Sequence, residues 1–265
     1  MLHKLPPASS PSLSGKGQGV RSAGFVPGDG LRLRYYEWEA NGSPAAPVVL
    51  LHGITGSACD WRAVAVELSL KSRRVIAIDA RGHGESEWSA EEAYAPDHHF
   101  ADLATALSAL GIDRCTVVGF SMGGAVATMF AGALPGRSAG LVVVDAYPDP
   151  QMSAGSRRIA EVIASLYDDD ATRLPGGFDP AIARRLRDDL AAGEARRLDL
   201  WPFWEAVSAP TLVVRGANSD VLTAQQAALM IERRPGARLV TVPDVGHQVP
   251  MQRPRELARA ILELG

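Results

Sequence analysis

The chain is short of cysteine, of charge imbalance and of long apolar runs, and each shortage closes off a class of function. Only Cys59 and Cys115 occur, with no C-x-x-C spacing and no paired histidine ligands. Neither a disulfide framework nor a zinc ribbon is therefore expected, and a reducing, cytoplasmic setting fits best. Lys and Arg number 27 against 30 Asp and Glu, a net charge of −3. With no basic field, neither nucleic acid nor an anionic membrane is expected as a partner. No stretch nears the ~18 consecutive apolar residues of a membrane span. No internal repeat is visible. What remains is a globular composition of 265 residues, 46% hydrophobic and 22% charged, long enough to bury a core without staples.

Residues 1–24 read differently from the rest. They are rich in Ser, Pro and Gly, carry Lys4, Lys16 and Arg21, and contain no acid. They lack the 7–15-residue apolar core of a secretory signal. The expectation is a flexible N-terminal tail; a transit or docking segment is the alternative.

Beyond the tail, short apolar runs alternate with amphipathic segments. Leu31–Trp38 alternates large and charged residues, the pattern of an exposed antiparallel strand. Val48–His52, Val75–Asp79, Thr116–Phe120, Leu141–Asp145, Thr211–Arg215 and Arg238–Val242 are apolar runs of central-strand length. Helical patterns lie between them near 60–69, 98–110, 122–134, 223–233 and 254–264. This alternation predicts an α/β domain, a mostly parallel sheet with helices on both faces, whose strand C-termini gather on one ligand-binding edge. Between Asp145 and Thr211 the rhythm breaks: 65 residues carry no convincing strand. A helical cap over that edge, at about 147–208, is expected rather than a long loop.

The sharpest local signal is Gly119-Phe120-Ser121-Met122-Gly123-Gly124, a G-x-S-x-G match between an apolar strand and a helix-prone run. On so tight a strand-to-helix turn a serine takes a strained backbone, and its neighbours must be glycine because a Cβ would clash. The hydroxyl of Ser121 is then exposed at a helix N-terminus, whose dipole favours developing negative charge.

Three further motifs join it. They are His52-Gly53 after the third strand, Asp79-Ala80-Arg81-Gly82-His83-Gly84-Glu85-Ser86, and Gly246-His247 past the last strand. In this order the four resemble the α/β-hydrolase fold family of serine hydrolases, over residues 25–265. The resemblance implies an eight-stranded sheet, Ser121 as nucleophile, and the backbone N–H groups of Ile54 and Met122 as oxyanion donors. It also implies His247 as base, following the chain order Ser…Asp…His. His83 is the alternative base. His52 is expected to tie its own loop, and His98 and His99 to face solvent, while His3 lies in the tail. Ser121 speaks against haloalkane dehalogenases and epoxide hydrolases of this fold, which need aspartate there. Neither a metal nor an organic cofactor is implied.

The acid departs from the commonest pattern. Counted from Gly216, the usual slot after the seventh strand falls on Ser219, which carries no charge, and Asp220 comes one residue late. Asp145, at the end of the neighbouring strand and 24 residues past Ser121, is the expected acid, with Asp220 the alternative. This spacing and the run Leu51–Thr55 resemble a family member that hydrolyses an enamide of a dicarboxylate.

The implied reaction is acyl transfer on an ester, amide or lactone of a small molecule. C–C hydrolysis, cofactor-free perhydrolysis, a biosynthetic cyclase and a non-catalytic receptor remain the alternatives on one scaffold. Within the cap, Arg157, Arg158, Arg184, Arg185, Arg187, Arg196 and Arg197 are matched by Asp168–Asp170 and Asp188-Asp189. They are expected to be solvated helix faces; a site for an aromatic or carboxylate-bearing substrate is the alternative. Trp201, Phe203 and Trp204 are expected to be packing.

Overall fold

A computed structural model describes residues 22–38, 45–166, 177–192 and 198–264. Most of the tail, with His3, Lys4, Lys16 and Arg21, lies outside the described residues, as do Asp168–Asp170, Arg196 and Arg197. The strands are β1 (Ser22–Pro27), β2 (Arg32–Trp38), β3 (Val48–Leu51), β4 (Val75–Ile78), β5 (Cys115–Phe120), β6 (Ser138–Val144), β7 (Thr211–Gly216) and β8 (Arg238–Val242). The helices are α1 (Arg62–Ser69), α2 (Pro96–Ala109), α3 (Met122–Ala133), α4 (Ala154–Leu166), α5 (Pro180–Ala191), α6 (Trp201–Ala206), α7 (Ala224–Arg233), α8 (Val249–Gln252) and α9 (Pro254–Leu262). No helix among the described residues is long and apolar enough to cross a membrane.

One eight-stranded sheet runs in the order β1-β2-β4-β3-β5-β6-β7-β8. β2 is antiparallel to both neighbours, and every other pairing is parallel. The period of two divides each central strand between two cores. Val49, Leu51, Val117, Leu141, Val143 and Val213 face α2, α3, α6 and α7. Val48, Leu50, Val118, Val142, Leu212 and Val214 face α1, α8 and α9. Burial on both sides is why these strands read as unbroken apolar runs. Each fully buried Val or Leu stabilises the fold by about 1.5–3 kcal/mol.

β1 begins at Ser22 and pairs Ser22, Ala23 and Gly24 with Glu37, Tyr36 and Tyr35. Ser22, Ala23 and Gly24, expected in the tail, therefore belong to β1. A mostly exposed edge strand has no apolar run to announce it.

Between β6 and β7 the described residues contain the helices α4, α5 and α6. The ends of this excursion are pinned together: Leu200 N donates to Pro148 O at 2.9 Å, and Trp201 Nε1 to Asp149 Oδ2 at 3.1 Å. From there α6 turns away from the strand edge. Trp201 and Trp204 are buried in the core that also holds α3 and α7, and Trp204 Nε1 donates to Met230 O at 3.0 Å. These tryptophans are packing.

Candidate active site

Ser121 follows β5 with φ 52° and ψ −114°, a left-handed backbone that costs a non-glycine residue on the order of 1–3 kcal/mol. The surroundings hold it there. Ser121 N donates to Val144 O at 3.0 Å, and Gly123 N to His52 O at 3.1 Å. A Cβ on Gly119 would stand 2.0 Å from Gly123 O, and one on Gly123 2.3 Å from Leu51 O. The flanking glycines thus let β5, α3 and the loop after β3 meet at one point. Among the described residues, neither the Ile54 N–H nor the Met122 N–H has a protein acceptor.

Asp145 sits just past β6 at φ 49° and is fully buried. Its Oδ2 accepts from Gly216 N at 2.8 Å. Its Oδ1 accepts from Ser219 Oγ at 2.5 Å and from His247 Nδ1 at 3.0 Å. The His247 ring, mostly buried on the turn after β8, leans on Phe120 with centroids 4.7 Å apart. The structure thus joins Asp145 to His247, and it does not join Asp220 to it. Asp220 is 48% exposed and ion-paired with Arg158 of α4, whose hydrogen bond holds the carboxyl below the usual range. Ser219, in the usual acid slot after β7, contributes a hydroxyl to the Asp145 carboxylate one strand over.

Three of the remaining histidines, His52, His83 and His99, are buried. His52 Nε2 accepts from Ala80 N at 2.9 Å, which leaves Nδ1 to donate to Gly53 O at 2.7 Å. Burial pushes its pKa down to about 4, so it is a neutral tie between two loops. His83 stacks on Phe178 and meets the tilted ring of His52, with Nδ1 on Arg81 O at 2.9 Å, and burial holds it near 3. His98 is half-buried. His99 does not face solvent as the sequence suggested: it is 6% exposed on the inner face of α2, held near 3 by burial. That face is polar because Asp102, one turn on, receives Arg81 through two bonds of 2.6 and 2.8 Å. The motif loop Asp79–Ser86 is otherwise tied by Asp79, which accepts Ala58 N at 2.6 Å and Glu85 N at 2.9 Å. Burial raises the pKa of Asp79 to about 6.

The segment leading into α5 is strapped to this same loop. Asp179 N donates to Gly82 O at 2.7 Å, Gly84 N to Gly177 O at 3.0 Å, and the Tyr94 hydroxyl to the Asp179 carboxylate. Nothing in the local sequence marks Phe178-Asp179 or Tyr94 for this role. Beneath α4 and α5 lies a cavity of about 300 Å³. Ser121, Met122, Asp145 and Ile54 line its chemical side, and Ile159 and Ile182 belong to its apolar wall. Asp149 at its edge is engaged by Trp201. Arg185 and Asp189, one turn apart on α5, also line the cavity. Of the other cap arginines, Arg158 and Arg184 form ion pairs with Asp220 and Glu92, and Arg157 is exposed. Arg187 also has a bonded partner. Among the described residues, no group of three or more His, Cys, Asp or Glu is arranged to hold a metal ion.

Comparison with known proteins gives the following. The profile described as "Alpha/beta hydrolase family" matches residues 48–260. A 3-hydroxybutyrate-oligomer hydrolase of Cupriavidus necator is 30% identical over 274 positions, covering 86% of this chain and 91% of that protein. A 2-(acetamidomethylene)succinate hydrolase of Mesorhizobium japonicum is 27% identical, covering 82% of this chain and 87% of that protein, which bears out the likeness read from the motifs. The crystal structure of an alpha/beta hydrolase from Novosphingobium aromaticivorans superposes with a TM-score of 0.75 at 27% identity, covering 92% of this chain and 97% of that one.

Proposed function

The chain belongs to the alpha/beta hydrolase family, and from that premise we propose that it is a serine hydrolase acting on an ester bond of a small, carboxylate-bearing molecule. Ser121 Oγ attacks the carbonyl carbon while His247 Nε2 takes its proton. Asp145 holds the Nδ1–H and balances the imidazolium. The tetrahedral oxyanion is received by the amides of Ile54 and Met122; loss of one such donor typically costs about 3–4 kcal/mol of transition-state stabilisation. His247 then protonates the departing alcohol. In the second half it deprotonates a water that cleaves the acyl-enzyme, releasing the acid and restoring Ser121.

The observation that carries this reading is the Asp145–His247 hydrogen bond, with the His247 ring against Phe120, together with the strained serine that follows Phe120 and opens on a cavity. The strained turn supports a functional serine, because backbone strain of this kind clusters at active sites. For the substrate, a cavity of about 300 Å³ is at the small end of ligand pockets. The two relatives named above act, by name, on a hydroxybutyrate oligomer and on a substituted succinate. Among the described residues that line the cavity, Arg185 is the cation able to meet such a carboxylate.

The experiment is active-site labelling. A fluorophosphonate probe is expected to modify wild-type protein on Ser121 and to leave Ser121→Ala unlabelled. A panel of short esters, with and without a free carboxylate, then fixes the class. A folded protein that takes no label, or takes it elsewhere, overturns the proposal, and a preference for neutral long-chain esters removes its carboxylate part.

A further inference from the structure

Ser219 stands in the position after β7 where the charge of the acid was sought, and its hydroxyl is far from idle. The side chain is buried. Its Oγ accepts from Val221 N at 3.2 Å and, more weakly, from Leu222 N at 3.4 Å. With its lone pairs facing amide hydrogens, its one proton is aimed at Asp145 Oδ1, 2.5 Å away. That is the same oxygen on which His247 Nδ1 rests at 3.0 Å. The second carboxylate oxygen is occupied by Gly216 N. The carboxylate therefore has three donors, and the shortest contact is the hydroxyl.

We propose that Ser219 is a positioning residue that sets the basicity of His247 by sharing the Asp145 oxygen that the imidazole uses. An O–H donated to a carboxylate at this length is a strong, charge-assisted bond. It favours the ionised carboxylate, and it also puts the positive end of the hydroxyl dipole on the oxygen that must stabilise the imidazolium. The protonated ring gains less from such an oxygen than from a bare one, so the neutral base persists to lower pH. Among the other charges around the pair, Asp220 lies close enough to His247 for their charges to interact, and it is common to every variant compared below. Asp220, on the same turn as Ser219, is ion-paired with Arg158 of α4. Arg215 of β7 spends its guanidinium on the carbonyls of Leu222 and Ala217. Asp244, on the turn that carries His247, is exposed. Phe120 of β5 brings only a ring.

The inference rests on reading Asp145 and His247 as the acid–base pair, but its test reads the imidazole itself and not turnover. Protein labelled with ¹³C-histidine is titrated by NMR, with the His247 resonance assigned by His247→Gln. Ser219→Ala is expected to raise the His247 midpoint by about 0.5–1 pH unit. Ser219→Thr, which keeps the hydroxyl, is expected to restore the wild-type midpoint, and Ser219→Cys, a weaker donor, to fall between. If the alanine variant does not fold, the cysteine variant carries the test. A purely structural role would lower the melting temperature and leave the midpoint alone. A midpoint in the alanine variant within about 0.2 pH unit of wild type, or a threonine variant shifted as far as alanine, overturns the proposal. Failure of the hydrolase reading would show separately, as an unlabelled Ser121.

Discussion

Replacing Asp145 by asparagine tests the acid in its most isosteric form. Three groups donate into the aspartate: Gly216 N, Ser219 Oγ and His247 Nδ1. An asparagine accepts through one atom only and offers an NH₂ at the other. If its carbonyl keeps the Gly216 amide, the NH₂ faces both the hydroxyl and the imidazole. The hydroxyl can rotate away, but the imidazole has to shed its Nδ1 proton and carry hydrogen on Nε2, the wrong tautomer for a base. If the carbonyl keeps His247 instead, the NH₂ abuts the Gly216 N–H, which cannot turn. The second arrangement keeps the base only by setting two N–H donors against each other at Gly216, so the first, in which the base is lost, is the one expected. The expected fall in kcat/KM is about ten-thousandfold, roughly 5 kcal/mol of transition-state stabilisation. Asp220→Asn removes only one partner of an exposed ion pair, and a change within about fivefold is expected. Both variants would be compared with wild type by steady-state hydrolysis of a chromogenic short-chain ester, at matched melting temperature. A collapse of activity in Asp220→Asn with a mild effect in Asp145→Asn would refute the assignment of the acid.

Other outcomes follow from the same geometry. Gly123→Ala would drive a Cβ to 2.3 Å from Leu51 O, a backbone atom with nowhere to go, so a loss of about 3 kcal/mol in urea unfolding is expected; a wild-type midpoint with full activity would contradict it. His52, His83 and His99 are buried neutral, with pKa values pushed to about 4, 3 and 3. Because the unfolded chain protonates them near 6.5 and the folded one does not, stability is full above that pH and declines as pH falls toward 4. Asp79, raised to about 6, works in the opposite sense, so urea titrations near pH 5 should show a net uptake of about two protons on unfolding. Stability that does not change between pH 7 and 5 would rule this out. Arg185→Gln is expected to cut the preference for a carboxylate-bearing ester over its neutral analogue by about tenfold, read as a ratio of kcat/KM values; an unchanged ratio would remove Arg185 from substrate recognition.

The parts of the fold that were legible in the chain are those buried on two sides. Val48–Leu51 and Thr211–Arg215 announce themselves because every residue of each observed strand is buried. β1 does not, since most of its residues are exposed. His99 was misread for a related reason. The inner face of α2 carries Asp102 and His99, and polar residues on a buried face look like surface until their partner, Arg81, arrives from 21 positions away. At the site, Ser121 is legible because its strained turn needs glycines at fixed offsets. The contact between Asp145 and His247 spans 102 positions and that between Ser219 and Asp145 spans 74. A count along the chain could rank the candidate acids but not reveal that two adjacent strand ends share one carboxylate.

The paired ends of the excursion between β6 and β7 have an evolutionary meaning. A segment that departs at Pro148 and comes back at Leu200, one hydrogen bond away, can be lengthened, shortened or exchanged with little disturbance to its roots, as insertions at closed loop ends generally can. The Ser121 turn and the Asp145–His247 pair lie on the sheet side of that junction, and α4 and α5 on the other. Descendants of such a chain are free to trade one roof for another, and so to change diet, while the hearth below stays as it was.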